Sequence, residues 1–153
     1  MQILAHGGAG SAPDEPESRQ AVLDTAVEQA ADADTPLDAV ERVITHLESD
    51  PKFNAGVGGA IQSDGVSRTD AGLMTGAGGV GAAASMPGVE HAIRVARVVL
   101  EETPHVMLMG SHAVELARDY SIETGQDLRS ESARKRWDEA PAPPADGSYQ
   151  QAP

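Results

Sequence analysis

Residues 46–59, HLESDPKFNAGVGG, decide how this chain is read. The first half closes an amphipathic helix and the second is a glycine loop opening on the chain's single phenylalanine. Upstream, Thr35 is a good N-cap, Pro36 fits the first helical position and Asp38 places negative charge in the first turn, so the spacing predicts a helix over 35–50. Leu37, Val40, Val43, Ile44 and Leu47 form its apolar stripe, and Pro51 stops it. Gly56, Gly58 and Gly59 permit positive φ, so successive carbonyls of NAGVGG can turn to one side. Next to the free carbonyls of a helix C-terminus they could cage a hard cation. On local physics the same residues also read as an ordinary C-cap followed by a glycine turn.

Working outward, QILA at 2–5 reads as a short buried strand entering the turn HGGAG at 6–10. A helix is expected over 16–33, with Pro16 in its first turn and a stripe of Ala21, Val22, Ala26, Val27 and Ala30. Beyond the loop, strands at 60–63 and 66–74 join through Ser63-Asp64-Gly65, a hairpin cue. VGAAASM at 80–86 reads as a small-residue strand pairing with them, and 89–103 as a helix with few polar sides, packed between other elements. HVMLMG supplies a further buried strand, and short helices are expected at 111–121 and 131–139. APAPPADGSYQQAP, 140–153, has four prolines and no apolar period, so it reads as a flexible tail behind a 1–139 structural unit. Short antiparallel strands with grouped helices suggest α+β layering rather than alternating βαβ units. A layer set that runs out into a tail looks unfinished.

Composition narrows the function. Hydrophobic residues are 40 % of the 153, but aromatics are only 3 %, so the core is built from Ala, Val, Leu, Ile and Met. The 24 Asp+Glu against 11 Lys+Arg give a net charge of −13. Only Lys52 and Lys135 are lysines. That balance argues against nucleic acid and anionic membranes as partners. It fits a protein with a plain acidic face, or a halophilic one whose self-repulsion high salt screens. Without cysteine there is no disulfide, zinc-thiolate or thiol nucleophile. MQILAHGGAG lacks a basic leader and no stretch reaches about 18 apolar residues, so the expectation is a cytoplasmic protein.

Few motifs survive scrutiny. GAGGVG at 76–81 matches G-x-G-x-x-G, but no helix opens directly from it and no acidic residue follows at a strand end about 20 residues on. It reads as a glycine-rich hairpin connection; the alternative is a small stand-alone binding module using that loop. The five histidines form no ligand set, although His6 opens HGGAG at a strand end. Ser11 is a conceivable nucleophile without a base, and no G-x-S-x-G elbow is present. By motif the chain holds no complete catalytic set.

HGGAG at 6–10, LDAVE at 37–41, FNAGVG at 53–58, TDAGLMTG at 69–76 and PHVMLMG at 104–110 occur in that order. Together they resemble the plant-type asparaginases, or isoaspartyl aminopeptidases (β-aspartyl-peptidases), over roughly residues 2–139. The resemblance implies an N-terminal-nucleophile hydrolase with a four-layer αββα sandwich, of which this chain supplies about half. It implies a precursor that cuts itself before a threonine, this chain being the α subunit and the nucleophile lying on a β subunit. The α chain alone would then be inactive, the catalytic residues being elsewhere, and (αβ)2 dimers are implied. The substrates implied are L-asparagine and β-aspartyl dipeptides, with no organic cofactor. A sodium or potassium ion is implied in the opening loop, on main-chain carbonyls of Leu47, Glu48, Asp50, Phe53, Ala55 and Val57. Asn54 would orient the threonine, and His6, Gly7 and Gly8 match the segment whose backbone flips during self-cleavage. The ending Ala-Pro is not the Gly-Thr or Asp-Thr junction such precursors have, so residues before the cut are expected to be missing. Thr75 stands where the family often has aspartate, which puts a local hydrogen bond there in doubt. A non-catalytic scaffold subunit is the remaining alternative.

Overall fold

The computed structural model describes residues 1–10, 12–13 and 15–140. Ser11 and the proline-rich segment 141–153 lie outside them. Five helices and three strands follow in the order α1 (Pro16–Ala30), α2 (Pro36–Ser49), β1 (Arg68–Met74), β2 (Val80–Pro87), α3 (Ala92–Glu102), β3 (Met107–Met109), α4 (Gly110–Asp119) and α5 (Glu131–Glu139).

Local chemistry sets most boundaries. The Thr35 hydroxyl accepts the Asp38 N–H at 3.1 Å and caps α2 as expected. Ser130 caps α5 in the same way through the Ala133 N–H, at 3.2 Å. At Ser63-Asp64-Gly65 the chain reverses with Gly65 at φ +80°, and the Gly65 N–H donates to the Gln62 carbonyl at 2.7 Å. The strand expected before that turn shrinks to a single bridge, Ile61 to Ser67.

The sheet is mixed, in the order β1-β2-β3. β1 and β2 are antiparallel, with Ala71 opposite Ala83 and Gly72 opposite Ala82. β2 and β3 are parallel, with Ala82 beside Met107 and Ala84 beside Met109. A parallel pair needs a crossover, and α3 supplies it, so one βαβ unit sits inside the expected α+β layering. Pairing slips between Thr69 and Ala71, where Ser85 takes φ +57° and donates its N–H to Asp70 Oδ1 at 2.6 Å. This is a bulge held by a side chain.

One face of the sheet is covered. A Cβ at Gly81 would collide with the Ala96 carbonyl and lie 2.6 Å from Leu100 Cβ, so α3 rests directly on β2. Ala83, Met86, Val89, Ala92, Val95, Ala113, Val114 and Ala117 form the core between the sheet, α3 and α4. Thr69 is buried there with its hydroxyl donating to the Val89 carbonyl at 2.7 Å. A second core joins α1 and α2 through Ala26, Ala30, Ala39, Val43, Leu47 and Phe53.

The opposite face is bare. Side chains alternate along a strand, so Gly72, Met74, Val80, Ala82, Ala84, Met107 and Met109 turn away from α3. Met74 is 74 % exposed and Met109 is 56 % exposed. β3, expected to be buried, is therefore half open, because nothing among the described residues lies over it.

The N-terminal strand is also corrected. Residues 2–5 carry no ladder, since among the described residues no strand lies beside them to pair. Ile3 and Ala5 nonetheless pack on the α1–α2 core while Leu4 is 97 % exposed, which is a strand's alternation without its partner. Where a four-layer sandwich is expected, the described residues form one sheet with helices on one face.

Candidate functional site

α2 ends where Asp50 turns extended, its N–H donating to the Leu47 carbonyl at 3.3 Å. The Asp50 side chain accepts the Lys52 N–H at 2.9 Å and its carbonyl accepts the Phe53 N–H at 3.0 Å, folding 50–53 into a tight turn. Asn54 follows at φ +47°, an uncommon conformation outside glycine, with its side chain facing solvent. The chain then doubles back: the Val57 N–H donates to the Glu48 carbonyl and the Gly58 N–H to the Leu128 carbonyl, both at 2.7 Å.

Phe53 anchors this loop. Its ring is 5 % exposed within the α1–α2 core. The Arg19 guanidinium of α1 lies 5.9 Å above the ring centroid and hydrogen-bonds the Lys52 carbonyl, clipping helix and loop together. Gly7 presses on the same ring: a Cβ there would sit 2.6 Å from Phe53 Cε1. Next to it, His6 Nδ1 accepts the Gly8 N–H at 3.1 Å and Gly8 takes φ +112°. The HGG turn and the Asn54 loop, far apart in sequence, thus meet through the Gly7–Phe53 contact, with His6, Gly8 and Asn54 all exposed around it.

The proposed cation set is all main chain. The carbonyls of Leu47, Glu48 and Asp50 each accept one backbone N–H. Those of Phe53, Ala55 and Val57 receive no backbone donor among the described residues. A carbonyl oxygen has a second lone pair, so the six positions remain an oxygen-only donor set, which fits a hard cation in chemistry. Among the described residues no group of three His, Asp or Glu side chains gathers as an alternative metal centre.

Beneath the loop lies a feature that motif reading passed over. The Glu48 side chain is buried, and its Oε1 accepts the Ile93 N–H at 2.9 Å at the start of α3. Burial pushes its carboxyl pKa up, against the lowering pull of His91 and the Ile93 N–H. His91 Nδ1 stands 3.5 Å from Oε2, and Ser49 Oγ donates to Glu90 Oε1 at 2.6 Å. A sequence signal existed: Glu48 falls four residues after Ile44 and beside Leu47, on the apolar stripe of α2.

Two further expectations resolve. Gly76–Gly79 form the turn of the β1–β2 hairpin, followed by strand rather than helix, so the geometry for a pyrophosphate is absent there. Within that turn Thr75 Oγ1 accepts the Gly79 N–H at 3.0 Å, so threonine makes a local hydrogen bond of its own here. Of the remaining histidines, His105 and His112 lie apart on the surface.

Comparison with known proteins gives this arrangement a context. The asparaginase family model matches residues 1–153. The chain is 40 % identical over 147 residues to a plant-type L-asparaginase of Pyrococcus abyssi, covering 91 % of this chain and 47 % of that protein. It is 39 % identical over 145 residues to the plant-type L-asparaginase of Thermococcus kodakarensis, covering 90 % of this chain and 46 % of that protein. It is 36 % identical over 146 residues to an isoaspartyl peptidase/L-asparaginase of Bos taurus, at 88 % and 46 % coverage. The chain spans about half the length of the curated relatives it matches. A family match over the whole sequence makes this chain a member of the asparaginase family.

Proposed function

We propose that this chain is the α half of a self-processing amidohydrolase that releases ammonia from L-asparagine, an amino acid from β-aspartyl dipeptides, or both. The observation that carries the reading is the Gly7–Phe53 junction, which sets the HGG turn beside the Asn54 loop in a chain half as long as the L-asparaginases it matches. The bare methionine-rich sheet face supports a second sheet closing over it, as a four-layer αββα sandwich requires, and that sheet belongs to the β half. Pairs of such α/β units form the dimer in this reading, and the cytoplasm is its location.

The chemistry is acyl transfer. A threonine hydroxyl at the head of the β half attacks the substrate's side-chain carbonyl carbon while its own α-amine takes the proton. The oxyanion collapses, the C–N bond breaks and the amine leaves with a proton. Water then attacks the ester, giving aspartate and the free hydroxyl. In this chain Asn54 orients that hydroxyl by a side-chain hydrogen bond, and its left-handed backbone aims the amide out of the loop. The HGG turn, with its glycine at φ +112°, provides the backbone freedom that self-cleavage needs. The carbonyls of Leu47, Glu48, Asp50, Phe53, Ala55 and Val57 would hold a sodium or potassium ion, whose fixed positive charge would stiffen the loop.

The test is denaturing intact-mass analysis of the full-length protein with N-terminal sequencing of each chain, beside ammonia release from L-asparagine and cleavage of a β-aspartyl dipeptide. Two chains, the second beginning with threonine, and hydrolysis of either substrate are expected. A single uncut chain overturns the self-processing reading, and cut but inert chains leave a scaffold.

A further inference from the structure

We infer that the Glu48 side chain is a positioning residue for the Asn54 loop, locking the start of α3 to the end of α2 and, through its own carbonyl, to the loop. This rests on the reading that the loop presents Asn54 and holds a cation.

Helix N-termini leave backbone N–H groups without intrahelical partners. The residue preceding α3, His91, makes no side-chain cap. The Ile93 N–H is taken instead by Glu48 from another helix, at 2.9 Å, by a side chain that is 2 % exposed. The same residue's carbonyl receives the Val57 N–H at 2.7 Å. Between them the loop is wedged: a Cβ at Gly56 would lie 2.5 Å from the Glu48 carbonyl oxygen and 2.7 Å from that of Glu90. Ser49 closes a second link to Glu90 at 2.6 Å. Three segments, the end of α2, the loop and the start of α3, therefore converge on one residue.

An exposed serine or aspartate at position 91 would cap α3 without burying a carboxyl. An apolar side chain at position 48 would fill the space without fixing any direction. A buried acceptor does what neither can, because its hydrogen bond sets how α3 stands against the residue whose carbonyl holds Val57. The carbonyls at 53, 55 and 57 and the Asn54 side chain inherit that placement. A mutation here acts on the site through the loop, the way partners behind a metal's ligands do.

The test uses the full-length protein with both halves. Sodium binding is read from 23Na line broadening on titrating NaCl into choline chloride, alongside kcat and KM for L-asparagine and the melting temperature. Glu48→Ala should raise half-saturating sodium about tenfold and lower kcat about tenfold, with KM within about twofold. Glu48→Gln keeps the acceptor oxygen and should rescue most of what Glu48→Ala loses, in both half-saturating sodium and kcat. Wild-type sodium binding and kcat in Glu48→Ala, even with a lower melting temperature, would overturn the proposal, as would a glutamine variant as impaired as alanine. Should Glu48→Ala not fold, Glu48→Asp, one methylene short of the Ile93 N–H, must be impaired where Gln is not, and parity between them overturns it. If the wild type hydrolyses substrate without binding sodium, the cation reading falls alone and Glu48 is judged on kcat. If it hydrolyses nothing, the functional reading falls, and amide-exchange protection of Val57 and Ile93 decides: lost in Ala and kept in Gln supports the lock, unchanged in Ala refutes it.

Discussion

Two glycine runs of nearly the same composition, NAGVGG at 54–59 and GAGGVG at 76–81, meet opposite fates in this molecule. In the first, Gly56, Gly58 and Gly59 are all buried, and side chains at Gly56 and Gly58 would strike backbone carbonyls of Glu48, Glu90 and Pro51. In the second, Gly76 and Gly78 face open space, while Gly79 and Gly81, at the entry to β2 and inside it, press against Leu100 of α3. The first run uses absent side chains for close approach, and the second mostly for turning. A crowded run holds its neighbours in place, which supports the role proposed for Asn54, whereas the tip of the GAGGVG turn is open.

The sharpest way to break that contrast is alanine at one position in each run. Gly56→Ala should destabilise by about 3 kcal/mol, because its clashes are with backbone that has little room to move. Gly76→Ala, with open space around it, should stay within about 0.5 kcal/mol of the wild type. Urea denaturation of both tests this, and equal costs would erase the distinction.

Next in size is Asn54. If the crowded loop exists to aim this side chain, Asn54→Ala in the full-length protein should cut turnover about 10- to 100-fold with an almost unchanged melting temperature. Undiminished turnover and self-cleavage would remove it from the site.

A smaller, global effect concerns charge. With a net charge of −13, a halophilic protein should melt higher in about 1 M than in about 0.1 M NaCl, the range over which screening becomes nearly complete. A flat melting series would leave the acidity as a plain solvated face.

The smallest effect belongs to a third glycine turn, Ser63-Asp64-Gly65. Hydrogen bonds from Arg68 and the Val66 N–H hold the exposed Asp64 carboxyl down to about 2, from 3.8. A lowered folded-state pKa contributes stability above the unfolded value that disappears as pH falls through the folded one. Asp64→Asn should therefore flatten the acid limb of the stability profile between about pH 4 and 2, with little change at pH 7. An acid limb identical to the wild type would show that the turn does not need this bond.

Much of the first glycine run was legible in the sequence. Thr35, Pro36 and Pro51 mark α2 by local rules, and Ser63-Asp64-Gly65 marks its turn, because caps and turns are satisfied by residues a few positions away. What stayed hidden depends on distant partners. Residues 2–5 have a strand's alternation but no strand to pair with. β3 has an apolar sequence but no layer above it. Arg19 over Phe53, Gly7 against the same ring and Glu48 beneath α3 join positions that no window of sequence contains. For Glu48 the helical period did put a carboxylate on the apolar stripe, a hint that it would need a buried donor.

The bare sheet face has a chemical consequence of its own. Met74, Met107 and Met109 place three thioethers in solvent on one surface. Peroxide converts such sulfurs to polar sulfoxides, which are poorly suited to a dry interface. If a β half closes over this face as proposed, any interval without that cover is a window for oxidative damage, and closure before oxidation sets how much of the chain remains able to assemble.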